Sequence, residues 1–119
     1  SYPTSNFFIK KLLLIKNLFC HSSVLYRKDV IQKLGGYNES LAIWEDYDLW
    51  LTIGLTYKYA NLPIYTTAYR RHTEQSNSHK IQIGKDTQEY IIEKYKTTYS
   101  GYILARFFNI LRNIKQHVK

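Results

Sequence analysis

Residues 44–57 read WEDYDLWLTIGLTY. Leu49, Trp50, Ile53 and Tyr57 recur at helical spacing, which predicts a helix over 45–57 with one apolar stripe. The first turn holds Glu45, Asp46 and Asp48, and the positive end of a helix dipole favours acids there. Asp46 precedes Leu49, Trp50 and Ile53 by three, four and seven positions, so it shares their face. Glu45 and Asp48 fall off that stripe, near Thr52, where Asp48 reads as a solvated acid. A carboxylate where an apolar stripe leaves the core has two readings. It is an ordinary acidic cap, or it is a general base aimed at a cleft. Spacing alone leaves both open.

Working outward, residues 5–16 read as a short helix capped by Ser5 or Asn6. The stretch NLFCHSSVLYR (17–27) is rich in β-formers and predicts a strand around 19–26. Residues 28–36 read as a short helix starting at Asp29 and stopped by Gly35-Gly36, with a loop after it. Residues 58–72 read as extended and broken early by Pro63, and a polar loop follows. Residues 80–98 form a moderately amphipathic helix. The tail 101–119 is the clearest helix, with Ile103, Phe107, Ile110, Leu111, Ile114 and Val118 on one stripe. Two strands make a poor sheet by themselves, so the strand segments read as needing neighbours from outside the chain.

The chain has 119 residues, enough for one domain, with a formal net charge of +8 and twelve tyrosines. Residues 70–119 carry ten Lys/Arg against four Asp/Glu. Such a balance suits nucleic acid, a phosphorylated ligand or an anionic membrane surface. No nucleic-acid motif accompanies it. The single cysteine, Cys20, excludes an internal disulfide and a Cys-rich zinc site; it reads as a buried small apolar residue in a reducing compartment. Lysines interrupt FFIKKLLLIKNLFC before it reaches the length of a membrane span. The chain starts in mid-pattern, without Met, and reads as a piece of something longer.

Two further motifs carry chemistry. GGYNE (35–39) is either a helix stop with a turn or a loop whose glycines let backbone approach a ligand. YRRHTEQSNS (69–78) is either a solvated strand end or an anion or metal site, since arginine suits phosphate and neutral imidazole suits a divalent ion. His21, His79 and His117 lack metal-like partners at useful spacing.

Taken in order, HSSVLYRKDVIQKLGGYNESL, WEDYDLWLTIG and KYANLPIYTTAYRRHTEQSNS resemble the C-terminal half of family 2 glycosyltransferases of the GT-A fold, over Asn17 to Ser78. The resemblance implies an α/β fold, α+β as a fragment: a partial GT-A fold of few strands with flanking helices. It divides the chain into an acceptor-side half over 1–78, with the nucleotide-binding half absent, and a helical extension over 79–119. It implies inverting transfer of a sugar from a nucleotide-sugar to a glycan or lipid-linked acceptor in surface-polysaccharide assembly. Asp46 would be the catalytic base and Glu45 its support. Gly35, Gly36 and Arg70 would lie along the donor, Trp44 and Tyr37 would meet the acceptor, and His72 would help hold a divalent metal, Mn or Mg, that is mostly held by the missing half. Without that half the chain is expected to be inactive alone. The alternative is a non-catalytic glycan-binding or accessory domain. Nucleic acid is not an expected partner. The expected location is the cytoplasm or the cytoplasmic face of the plasma membrane. The tail either packs back on the domain or lies on the inner membrane surface.

Overall fold

The computed structural model describes the backbone of residues 2–68, 70 and 81–117, and their side chains apart from 81, 82 and 115–117. His72 and the polar loop after it lie outside the described residues. Among the described residues the regular structure is all helical, with five α-helices: α1 (Asn6–Leu13), α2 (Lys28–Lys33), α3 (Glu45–Thr56), α4 (Ile81–Lys94) and α5 (Tyr102–His117). A 3-10 turn, His21–Ser23, lies between α1 and α2.

This corrects the expected α/β fold: no strand or sheet forms among the described residues. The physical reason is visible in residues 17–27. Cys20, Val24 and Arg27 have extended backbone angles, yet no neighbouring segment supplies a ladder. Ser23 N–H turns back to the Cys20 carbonyl instead, and Phe19 N–H donates to the Asn17 side chain. Strand propensity describes fit to a pleated surface, and without a partner strand it leaves only an extended chain. Residues 58–68 likewise form no ladder and bend at 63–64. They are tied to the N-terminal segment, where Tyr59 N–H donates to Asn6 Oδ1 at 2.9 Å and Asn61 Nδ2 donates to the Pro3 carbonyl at 2.9 Å.

The core is built around α3. Tyr47, Leu49, Trp50, Leu51 and Ile53 are buried there against Ile9, Leu13, Leu14 and Leu18 on one side and Ile91, Ile92, Tyr95 and Tyr99 on the other. Covered on so many sides, α3 is a central helix rather than the one-stripe surface helix its sequence predicts. Tyrosine hydroxyls bind its carbonyls. Tyr99 donates to Leu51 O at 2.7 Å, Tyr95 to Asp48 O at 3.1 Å, and Tyr59 to Trp50 O. Tyr47 on α3 itself donates to Leu13 O at 2.5 Å. Much of the tyrosine content thus supplies aromatic bulk together with a donor that stays satisfied in the interior.

Two more expectations are corrected, and the reading of the tail left open by its sequence is narrowed. Asp48, read as a solvated acid, is 3 % exposed because α4 covers its side of α3. Cys20, read as buried, is exposed and its thiol lies 3.3 Å from Ser22 Oγ. The tail stripe does not face the domain: Ile103, Phe107, Ile110 and Ile114 are each more than half exposed, whereas Ala105 and Asn109 are buried.

Candidate active site

Helix α2 ends as its glycines require. Gly35 and Gly36 have φ of +87° and +78°, and Gly36 N–H reaches back to the Ile31 carbonyl at 3.0 Å. The chain then turns through Tyr37 and Asn38, whose Oδ1 accepts from Ser40 Oγ at 2.7 Å. Gly35, Gly36 and Tyr37 line a cleft of about 330 Å³, with Asp48, Lys94 and Tyr95 on its other side.

The acidic motif starts from a strained residue. Trp44, the N-cap of α3, has φ +64° and ψ +20°, the left-handed conformation that side chains other than glycine rarely adopt. Its carbonyl accepts Asp48 N–H at 3.0 Å, and its ring meets Tyr47 edge-on at 5.8 Å. Asp46 follows two residues later, its side chain 20 % exposed. Its Oδ1 accepts from Tyr47 N–H at 2.7 Å, which fixes the carboxylate at the positive end of the helix.

His21 stands opposite. Its Nδ1 is 3.9 Å from Asp46 Oδ2, and its Nε2 is 3.0 Å from the Tyr37 hydroxyl. The imidazole leans edge-on against Trp50 at 6.0 Å, and Tyr26 packs on the same indole at 6.2 Å. Trp50 is thus a buried floor under a half-open patch of His21, Tyr26, Tyr37 and Asp46. Burial pushes the Tyr37 phenol up, and Tyr26, Asp46 and Glu45 add to the shift. Tyr37 therefore stays a neutral hydroxyl that can share hydrogen bonds. Aromatic faces beside a fixed carboxylate suit a polyhydroxyl ligand, since rings cover its apolar faces and the acid takes a hydroxyl proton.

Asp48 does other work. Both its oxygens accept from Lys94 Nζ, at 2.8 and 2.9 Å, and Tyr95 hydroxyl donates to Oδ1 at 2.9 Å. Three donor contacts leave this carboxylate committed to structure, wedging α4 against α3.

Of the expected site residues, Gly35, Gly36 and Tyr37 come together at the cleft. Trp44, Glu45 and Asp46 open α3 outside its lining, and Tyr37 joins the two groups through His21. Arg70 is exposed and does not line the cleft. His72 lies outside the described residues. Among the described residues no three His, Cys, Asp or Glu side chains gather as a metal cage. His21 was not legible as a site residue, because its two partners lie far along the chain and only the 3-10 turn brings it to them.

Over 115 residues, 94 % of its length, the chain is 31 % identical to the amylovoran biosynthesis glycosyltransferase AmsE of Erwinia amylovora, and the match covers 42 % of that protein. Over 56 residues, 44 % of its length, it is 46 % identical to the O-antigen biosynthesis glycosyltransferase WbnJ of Escherichia coli, covering 20 % of that protein. The chain therefore spans less than half the length of these curated relatives. No family model matches the chain, and no solved structure matches it at a significant level.

Proposed function

We propose that the chain forms the acceptor side of a family 2 glycosyltransferase that moves a sugar from a nucleotide-sugar to an acceptor hydroxyl in surface-polysaccharide assembly. Similarity to two glycosyltransferases, one named for amylovoran and one for O-antigen biosynthesis, supports the reaction class. One structural observation carries the residue-level reading. Asp46 is held by a backbone N–H at the start of α3, partly open to solvent, beside aromatic rings and beyond a strained Trp44.

In this reading transfer is inverting. The acceptor hydroxyl approaches Asp46, which takes its proton as the oxygen attacks the anomeric carbon and the nucleoside diphosphate departs. Glu45 supports the motif, while Tyr37 and Trp44 border the acceptor. Gly35, Gly36 and Arg70 would meet the donor. No step assigned to these residues runs through a metal. The nucleotide site would come from sequence outside the 119 residues, so this chain alone should not turn over a nucleotide-sugar.

The test is Asp46→Asn in the intact enzyme. Transfer should fall by about 100- to 10,000-fold, the usual contribution of a positioned acid or base, while donor affinity stays within about twofold. Undiminished transfer removes Asp46 as the base. Donor affinity lost together with rate makes it a structural acid instead.

A further inference from the structure

Helix α5 is mounted the wrong way round for a core helix. Its buried residues are Ala105 and Asn109, at 0 % and 2 % exposure. Ile103 is 79 % exposed, Phe107 and Ile114 are each 55 %, and Leu104, Phe108, Ile110 and Leu111 are all well exposed beside them. At about 100° per residue these seven side chains form one broad arc, turned away from the face that carries Ala105 and Asn109. The mounting is well fixed. Arg106 pairs with Glu89 at 2.5 Å, the Tyr102 hydroxyl donates to Glu93 Oε1 at 2.8 Å, and a Cβ at Gly101 would already press on the Lys11 carbonyl at 3.0 Å. A single exposed leucine is ordinary, but a stripe of seven large apolar side chains marks a surface that something covers.

Charge selects the occupant. After Glu93 the sequence holds Lys94, Lys96, Arg106, Arg112, Lys115 and Lys119 and no acid; Lys94, Lys96 and Arg106 pair with Asp48, Glu93 and Glu89, so the cationic excess lies toward the C-terminal end of α5. A second copy would bring the same cationic helix against itself. An anionic lipid surface attracts it, at about 1 kcal/mol for each Lys or Arg near the headgroups. Length sets the mode: among the described residues no helix is long and apolar enough to cross a membrane. The sixteen residues of α5 suit a helix lying in the plane of the surface, apolar side down.

We propose that α5 is an interfacial docking helix for an anionic lipid surface, its Ile103–Phe107–Ile110–Ile114 stripe entering the boundary between headgroups and acyl chains. The inference does not depend on glycosyl transfer.

The test is flotation of the full 119-residue chain with vesicles of phosphatidylcholine alone and with added phosphatidylglycerol. Anionic vesicles should carry at least about tenfold more protein, and the excess should shrink as salt screens the charges. Ile103→Ser with Phe107→Ser should remove about tenfold or more of that binding and leave thermal unfolding unchanged, since both side chains are exposed in the fold. Leu25→Ser, at a separate position that is 97 % exposed, should bind as before. Equal binding by the double variant overturns the proposal, as does equal loss on Leu25→Ser. Light scattering that shows a lipid-independent dimer, abolished by the double variant, assigns the face to a second copy and overturns it too.

Discussion

Nδ1 of His21 stands 3.9 Å from Oδ2 of Asp46. The same ring is hydrogen-bonded through Nε2 to the Tyr37 hydroxyl, so one imidazole spans the distance between the acidic motif and the glycine loop. If Asp46 is the base, His21 positions it and Tyr37 together. His21→Ala in the intact enzyme should then lower kcat by about 10- to 100-fold, the range that loss of alignment produces, and should cost less than Asp46→Asn. Tyr37→Phe should reproduce part of the defect. The readout is the split between kcat and KM. A rise in KM with kcat untouched would make His21 a binding contact and not a positioning one.

Asp48 and Lys94 make a second pair with the opposite character. The Asp48 side chain is 4 % exposed and the Lys94 side chain 34 %, so removing the lysine strands a carboxylate that water barely reaches. Burial draws the Lys94 ammonium down, but the hydrogen bond to Asp48 and the neighbouring Tyr95 outweigh it and the net shift is upward. Lys94→Met should cost about 2–3 kcal/mol in denaturant unfolding, the loss expected for hydrogen bonds to a buried charge. The loss stays at that level because the lysine end is partly wet. Asp48→Asn with Lys94→Met should recover part of it, because the charge leaves with its partner. A single-variant loss below about 0.5 kcal/mol would reduce the pair to an ordinary surface bridge.

These two acids show what periodicity reveals and what it hides. Asp46 and Asp48 sit in one turn, and the apolar stripe of α3 correctly gave its helix and the side Asp46 shares. It assigned Asp48 to solvent because a stripe describes one face, and the covering face comes from α4, whose Lys94 is 46 positions away. Gly35-Gly36 was legible because a left-handed helix stop is a local demand. Residues 19–26 were misread for the converse reason: extended backbone angles are local, but a ladder needs a partner. In α5 the stripe was legible and its direction was not, since a face meant for a core and one meant for lipid share a period. His21 joined the site through tertiary packing alone.

Gly54 gives a packing prediction whose sign is decided by magnitudes. It lies inside α3, where alanine is favoured over glycine by about 1 kcal/mol. A Cβ there would overlap the hydroxyls of Tyr59 and Tyr99, which are held on the Trp50 and Leu51 carbonyls. Overpacking costs about 1–3 kcal/mol, and each displaced hydroxyl adds about 1 kcal/mol. Gly54→Ala should therefore destabilise the chain by roughly 2–4 kcal/mol. Gly84→Ala is the control, because its Cβ would meet only Ile43 Cδ1, at an ordinary 3.4 Å. It should stabilise α4 by up to about 1 kcal/mol. Equal signs for the two variants in urea unfolding would sink the packing account of α3.

The buried tyrosines in and around α3 also set an upper pH limit. Burial pushes the phenols of Tyr47, Tyr59, Tyr95 and Tyr99 up, Tyr95 to about 12. An exposed tyrosine loses its proton near pH 10. The folded state therefore keeps protons that the unfolded chain has released, and stability must fall with pH in that window. The contribution is complete below about pH 10 and fades as pH rises from there through the raised folded values. Lys94, also shifted up, acts in the same direction. The urea midpoint should thus hold steady from about pH 7 to 9 and drop steeply above about pH 10. Phenolate absorbance supplies an independent check. At least four of the twelve tyrosines should resist titration until the chain unfolds, and their signal should appear with the loss of helical circular dichroism. A midpoint unchanged between about pH 8 and 11, or all twelve phenols titrating together near 10 in folded protein, would mean that these hydroxyls are not held on backbone carbonyls in the core.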